Sequence, residues 1–268
     1  MRKPYRAVRR YPPNPRGRDF VVGDVHGCFS QLSDELARLN FDLGCDRLFS
    51  VGDLIDRGPE SVFVLDVVRR YRIKAIRGNH EDMVLRWYRG DLSSDVMFEN
   101  GGAWFMNMVD GSGRARRFAS FMASLPYVIE IESQHGLIAL VHADAPCDQW
   151  PELTTRIQLE GPDGLMRKRL LWQRSRWRGA EDRGFGEVSP QLNSLFGLPA
   201  DVTKQRTHDP HQWIHGVVAV VVGHTPVQRP TARANVVNID TGAAYGGSLT
   251  VLDLADVPQI LATQEVAR

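Results

Sequence analysis

The sequence predicts an α/β protein, and three observations carry that expectation. Short runs rich in β-branched residues recur along the chain, each of strand length and composition. Helical periodicities separate the first three of them. Several runs end in a cluster of Asp, Asn or His, and in open α/β sheets ligands gather beyond the carboxyl ends of the strands. With 268 residues the chain is long enough for one large domain or two small ones. A net charge of +1 supplies no global field for nucleic acid or an acidic surface, so any specificity must be local. No apolar run approaches the roughly 18–20 residues that a membrane span needs, which rules out a membrane-spanning protein, and no membrane partner is expected.

Residues 1–18 contain seven Arg or Lys and four Pro without periodicity, and read as an extended basic arm. Such an arm is either a solvated tail or a contact for nucleic acid or phosphoprotein. Residues 19–268 read as a single domain. Strands are predicted at Asp19–Gly23 before DVHG, Leu48–Gly52 before DLIDRG, and Ile73–Ile76 before RGNHE. Further strands are predicted at Leu137–Val141 before HAD, Val217–Gly223 before HTP, and Val236–Ile239 before DTG. Phe29, Leu32, Leu36 and Leu39 recur at helical spacing after the first strand. A second helix is predicted to begin at Pro59 and to bury Val62, Leu65 and Val68. Strand, helix, strand, helix, strand is a βαβαβ core with right-handed connections. From Leu92 to Leu125 the pattern is helical, with Trp104, Phe105, Met108, Phe118, Phe121 and Met122 as apolar core anchors. From about 145 to 215 it weakens, and only Leu165–Trp172 and Leu192–Leu198 suggest short elements. This stretch reads as a long insertion at the carboxyl edge of the sheet, where loops shape substrate sites.

The strand-end clusters place Asp24, His26, Asp53, Asn79, His142 and His224, all oxygen or imidazole donors suited to divalent metals. Each cluster alone has an ordinary structural explanation, such as a capping Asp or a loop His. Their joint occurrence, each after a strand, points to a metal-binding edge.

Taken together, GDVHG, GDLIDRG, GNHE, VHAD, GHTP and IDTGA resemble the calcineurin-like metallophosphoesterases. The closest resemblance is to the serine/threonine phosphoprotein phosphatases of the bacteriophage lambda type and their bacterial relatives. It runs from about Phe20 to Leu254, includes Asn100-Gly101-Gly102, and is weakest between Ala145 and His215. The resemblance implies a four-layer α/β/β/α sandwich around the βαβαβ core. It also implies two divalent metals, one held by Asp24, His26 and Asp53 and the other by Asp53, Asn79, His142 and His224. Asp53 would bridge them, as a carboxylate can, since its two oxygens span metals roughly 3.5–4 Å apart. Mn²⁺ is the family expectation, with Fe or Zn²⁺ also compatible with mixed N and O donors. Such a pair supplies hydroxide as nucleophile, so no Ser or Cys nucleophile is needed.

By the same resemblance, His80 protonates the leaving alkoxide, Asp56 orients its ring, and Arg57 and Arg174 clamp the phosphoryl oxygens. Around Arg174, Arg167, Arg169, Arg176 and Arg178 crowd the same segment, so a neighbouring arginine could take the clamp. His135 reads as a surface residue, and His208, His211 and His215 as loop residues. A second metal site at His208, Asp209 and His211 is a minor alternative. The function implied is a serine/threonine protein phosphatase acting on phosphoprotein or phosphopeptide. The rival within the superfamily is diadenosine tetraphosphate hydrolase, whose pattern resembles GDLVARG and GNHD where this chain has Asp56 and Glu81. A third reading, from a different class, is a non-catalytic binding module with a degenerate site, which would require a missing ligand. Cys28, Cys45 and Cys147 are odd in number and lack zinc-like spacing, and with no apolar leader at the N-terminus they favour the cytoplasm.

Overall fold

Along the central strands, alternate residues are buried on opposite faces, and this double burial builds the layers. The computed structural model describes residues 5–109, 113–161, 164–177 and 212–263. One sheet has four strands in the order β10-β2-β3-β4, formed by β2 (Asp19–Val22), β3 (Arg47–Ser50), β4 (Lys74–Ala75) and β10 (Val251–Asp253). β2, β3 and β4 are parallel, with Phe20 opposite Leu48 and Ser50 opposite Ala75, and β10 runs antiparallel along β2. The other sheet has six strands in the order β1-β5-β6-β7-β9-β8. These are β1 (Val8–Tyr11), β5 (Val128–Ser133), β6 (Gly136–Leu140), β7 (Ala219–Val222), β8 (Thr231–Arg233) and β9 (Val236–Asn238). Val21 and Phe49 from the first sheet, with Ile76 just after β4, meet Ile129, Ile138, Leu140, Val221 and Val237 from the second in one buried cluster. Their neighbours Phe20, Val22, Leu48, Ala139, Val220 and Val222 face outward into the helical layers. The expected α/β/β/α sandwich is the result.

Helix α1 (Phe29–Arg38) buries Phe29, Leu32 and Leu36, as its spacing predicts. The second helix differs from expectation. A 3-10 turn occupies Ser61–Phe63, and α2 (Val64–Tyr71) follows with Val64 as its buried residue. Val62, Leu65 and Val68 are only partly buried against the core. The region from 92 to 125 contains α4 (Ser94–Glu99), α5 (Ala103–Met106) and α6 (Arg114–Ser124), preceded by α3 (Asn79–Arg89). Gly101 in the left-handed region (φ 86°) interrupts what the apolar pattern presented as continuous.

Two expectations are corrected. Within the basic arm, residues 8–11 are not a free tail: β1 pairs in parallel with β5, Val8 opposite Val128 and Tyr11 opposite Ile131. The reason is that an edge strand needs few apolar side chains. Ala7 is buried, the Tyr11 ring packs edge-on against Phe49 at 5.2 Å, and Arg10 Nε donates to Glu130 Oε2 at 2.9 Å. Within the insertion, α8 (Leu165–Trp172) spans an element the sequence suggests, whereas α7 (Trp150–Leu159), which it does not suggest, precedes it. α7 has Pro at its start and buries Trp150, Leu153 and Ile157; α8 buries Met166, Leu170 and Leu171. Both helices therefore belong to the outer core rather than to a surface loop. Leu192–Leu198, Arg178, His208, Asp209 and His211 lie outside the described residues. No described helix is long and apolar enough to cross a membrane.

Candidate active site

β2, β3, β4, β6 and β7 end at one edge of the sandwich, and the residues that follow them converge there. Asp24 and His26 follow β2, Asp53 follows β3, Asn79 opens α3 after β4, His142 follows β6, and His224 follows β7. None of the six is more than 4% exposed. The turns that carry them are unusual. His26 (φ 45°), Asp53 (49°), Asp56 (69°), Arg57 (64°) and His224 (69°) all lie in the left-handed region. Each such residue costs about 1–2 kcal/mol, so the surrounding structure must hold them, and outliers of this kind cluster at functional sites. Two glycines allow the close approach. A Cβ on Gly78 would collide with Asp53 Oδ1, and one on Gly223 with Asp24 Oδ1.

Hydrogen bonds fix the imidazole tautomers. His26 Nδ1 lies 2.8 Å from the Ile55 carbonyl, and His142 Nδ1 lies 2.8 Å from the Val51 carbonyl. A carbonyl can only accept, so each Nδ1 carries a proton and each Nε2 of the neutral ring presents a lone pair inward. His142 Nε2 is 2.8 Å from Asn79 Oδ1 and 3.4 Å from Asp53 Oδ2, while His26 Nε2 is 3.6 Å from the same Asp53 oxygen. His224 Nδ1 lies 2.9 Å from Asn79 Oδ1. Electron-pair donors thus crowd together and need a positive charge among them. Burial opposes ionisation of Asp53, but the His142 and His80 imidazoles overturn it and hold its carboxyl well below the usual range. Burial likewise opposes protonation of His142, and the Asp53 carboxylate raises it. Asp24 Oδ1 and His224 Nε2 are buried without hydrogen-bond partners. This donor set fits divalent cations: His26, Asp53 and His80 form one group close enough to hold an ion, and Asp53, His142 and His224 form another. Asp53 belongs to both. Asp24 stands outside these two compact groups, with Oδ2 accepting from the His224 amide at 3.0 Å.

Beside Asp53 sits an acid pair. His80 Nδ1 is 2.8 Å from Asp56 Oδ2, and His80 Nε2, which has no hydrogen-bond partner, is 4.0 Å from Asp53 Oδ2. Burial pushes Asp56 up to about 8 and His80 down to about 3, so the pair retains one proton at neutral pH. Whichever of the two holds the shared proton, His80 Nε2 then carries an N–H facing the site.

Arg57 lies exposed at the mouth. Its Nη1 is 3.0 Å from His26 Nε2, and its guanidinium stacks over the Tyr245 ring at 5.0 Å. Arg174 is half-buried near the same centre. Burial and the Arg174 charge together hold His224 well below the usual imidazole range. Arg176 is committed elsewhere, with Nε donating to Asp144 Oδ1 at 2.9 Å and Nη1 to the Gln212 carbonyl. Arg167 donates to the Ile157 carbonyl and lies over Tyr127. Of the described arginines in that segment, Arg174 is the one whose charge reaches His80 and His224. His135 and His215 are exposed, as the sequence suggests.

Three contributors were not assigned from sequence. Glu81, used there only to discriminate between branches, accepts from the amides of Gly78 (2.8 Å), Asp53 (3.0 Å) and Leu54 (2.8 Å), tying two site loops together. Asp240, in the IDTGA stretch, is buried, and after burial itself its charge is the largest influence raising Asp24. Trp104, read as a core anchor, donates through Nε1 to Asp56 Oδ1 at 2.6 Å. Glu81 was accessible as a capping signal three residues after Gly78; a long-range indole contact leaves no trace in periodicity.

Comparison with known proteins gives a consistent result. The family model described as calcineurin-like phosphoesterase matches residues 20–228. Serine/threonine-protein phosphatase 1 of Salmonella typhimurium is 35% identical over 236 residues, covering 87% of this chain and 89% of the relative. A symmetrical bis(5'-nucleosyl)-tetraphosphatase of Nitrosospira multiformis is 26% identical, covering 88% of this chain and 92% of the relative. Among solved structures, a candidate diadenosine tetraphosphatase superposes with a TM-score of 0.57 at 20% identity, covering 93% of this chain and 98% of that one. At that identity the likeness shows the fold.

Proposed function

The chain belongs to the calcineurin-like phosphoesterase family, and on that premise we propose a metal-dependent phosphomonoesterase that acts on phosphoserine and phosphothreonine in proteins. The observation that carries the reading is the convergence on Asp53 Oδ2: His142, His26 and His80 present nitrogen atoms to it at 3.4, 3.6 and 4.0 Å. Asp24, His26 and Asp53 would hold one cation and Asp53, Asn79, His142 and His224 the other. Mn²⁺ is the proposed metal, with Fe or Zn²⁺ as alternatives for these N and O donors. Bound there, the cations would acidify a water and neutralise phosphoryl oxygens.

The side chains supply the rest. His26 Nε2 offers to a cation the same lone pair that Arg57 now contacts, so filling the site frees the guanidinium to turn to the phosphoryl group. Arg57 and Arg174 then approach that group as planar donors able to hold two oxygens each. His80 gives its Nε2 proton to the departing serine or threonine oxygen, and Asp56 stabilises the ring through Nδ1. The Asp56 contact also supports the phosphoprotein reading, because the tetraphosphatase pattern resembled in the sequence has Ala at that position. The higher identity to a serine/threonine-protein phosphatase points the same way. Cys28, Cys45 and Cys147 are all unpaired, which suits the proposed cytoplasmic location.

The test is kcat/KM measured side by side on a phosphothreonine peptide and on diadenosine tetraphosphate, with Mn²⁺ present. The proposal expects the peptide to be preferred. A clear preference for the dinucleotide would assign the chain to the tetraphosphatase branch, and turnover of neither would favour a binding module.

A further inference from the structure

We propose that Trp104 is a positioning residue for leaving-group protonation, its indole N–H holding the Asp56 carboxyl in the orientation that engages His80. The inference rests on the phosphomonoesterase reading. Asp56 is fully buried and its two oxygens are divided between two partners: Oδ2 lies 2.8 Å from His80 Nδ1, and Oδ1 accepts from Trp104 Nε1 at 2.6 Å. An indole N–H can only donate, so it fixes which oxygen turns to His80 and spares Oδ1 the cost of burial without a partner. Without that anchor the carboxyl is free to rotate about its last bond, and the imidazole it steers loses its reference.

The indole is itself held in place. Phe118 and Phe105 meet it edge-on at centroid distances of 5.5 and 5.6 Å. α5, which carries it, starts directly after the Asn100-Gly101-Gly102 turn, where Asn100 Nδ2 donates to the Val96 carbonyl at 2.8 Å. A Cβ at Gly101 would collide with the backbone nitrogen of Arg57. The same turn therefore abuts the left-handed Asp56-Arg57 pair and delivers the indole to it. The edge-on packing itself does not require the N–H, since a phenyl ring can also meet Phe105 and Phe118 edge-on.

Trp104→Phe separates the two roles. In the Mn²⁺-loaded full chain, kcat on an alkyl phosphate should fall about tenfold, the scale of one lost hydrogen bond to an ionisable group. On p-nitrophenyl phosphate, whose leaving group needs little protonation, it should fall less than about threefold, with KM and bound Mn²⁺ unchanged. In a His80→Asn background, which shows the same split more strongly, adding Trp104→Phe should cost nothing further. A readout independent of turnover is amide-type exchange at the indole: the Trp104 N–H should exchange slowly in the wild type and faster in Asp56→Ala. Equal losses on both esters, additive losses with His80→Asn, or exchange indifferent to Asp56→Ala would overturn the positioning role while leaving the phosphomonoesterase reading intact. A wild-type enzyme that hydrolyses neither ester refutes that reading and this inference with it.

Discussion

Asp53, though deeply buried, is held well below the usual carboxylate range by the His142 and His80 imidazoles that face it, whereas Asp56, three residues on, has one imidazole and one indole. Burial then prevails at Asp56 and pushes its pKa to about 8, against about 3.9 for an unperturbed aspartate. This difference has a measurable sign. In metal-free protein the folded state keeps the Asp56 proton between about pH 4 and 8 while the unfolded chain releases it, so stability falls as pH rises through that window. His80, pushed down to about 3, acts oppositely, but only up to the ordinary imidazole pKa near 6.5. Between about pH 6.5 and 8 the Asp56 contribution is no longer opposed by His80. Urea unfolding of chelator-treated protein should show stability declining there, by at most about 1.4 kcal/mol per pH unit from this group. Asp24 and His142, also raised in the folded state, add to the decline, so Asp56→Asn should make it shallower without abolishing it. A variant with the wild-type slope would remove Asp56 as a contributor.

At the scale of elements, the site depends on how α3 is joined to the loop after β3. Glu81 in the first turn of α3 accepts amide N–H groups from Gly78 at its own helix start and from Asp53 and Leu54 in the other loop. Three buried donors are thus satisfied by one side chain. Glu81→Gln replaces one acceptor oxygen with an NH₂ that faces these donors, and each amide left unpaired costs about 1–3 kcal/mol. The variant should therefore lower the urea midpoint of the metal-free protein, and an unchanged midpoint would show that the loops do not need this tie. Legibility of elements followed their chemistry. β2, β3, β6, β7 and β9 announce themselves as short runs rich in apolar residues because they are buried, and the clusters after β2, β3, β6 and β7 carry five of the six candidate ligands. β1 did not, because an edge strand reading Val-Arg-Arg-Tyr exposes its two arginines and carries no apolar alternation. α7 was hidden by Thr, Gln and Arg on its exposed face, although Trp150, Leu153 and Ile157 mark the buried one.

For the whole molecule, two sheets aligned face to face bring strand ends that are far apart in sequence to one edge, so that His224 and Asn79 touch across 145 positions. The candidate ligand types and their order were legible without the fold, because each motif follows its own strand. Their mutual distances were not, since they depend on packing between the sheets, where Val21 and Phe49 of one meet Ile138 and Val221 of the other, and no local period encodes such contacts. The account requires that this edge be inert as a bare protein surface, because its lone pairs and carboxylates need cations before a phosphate ester can approach. The direct measurement is hydrolysis of an aryl phosphate by the full chain, first stripped of metal by chelation and then titrated with Mn²⁺. The account predicts negligible turnover when stripped and recovery that saturates at two equivalents of Mn²⁺ per chain. Turnover that survives chelation, or none at any Mn²⁺ concentration, would contradict it.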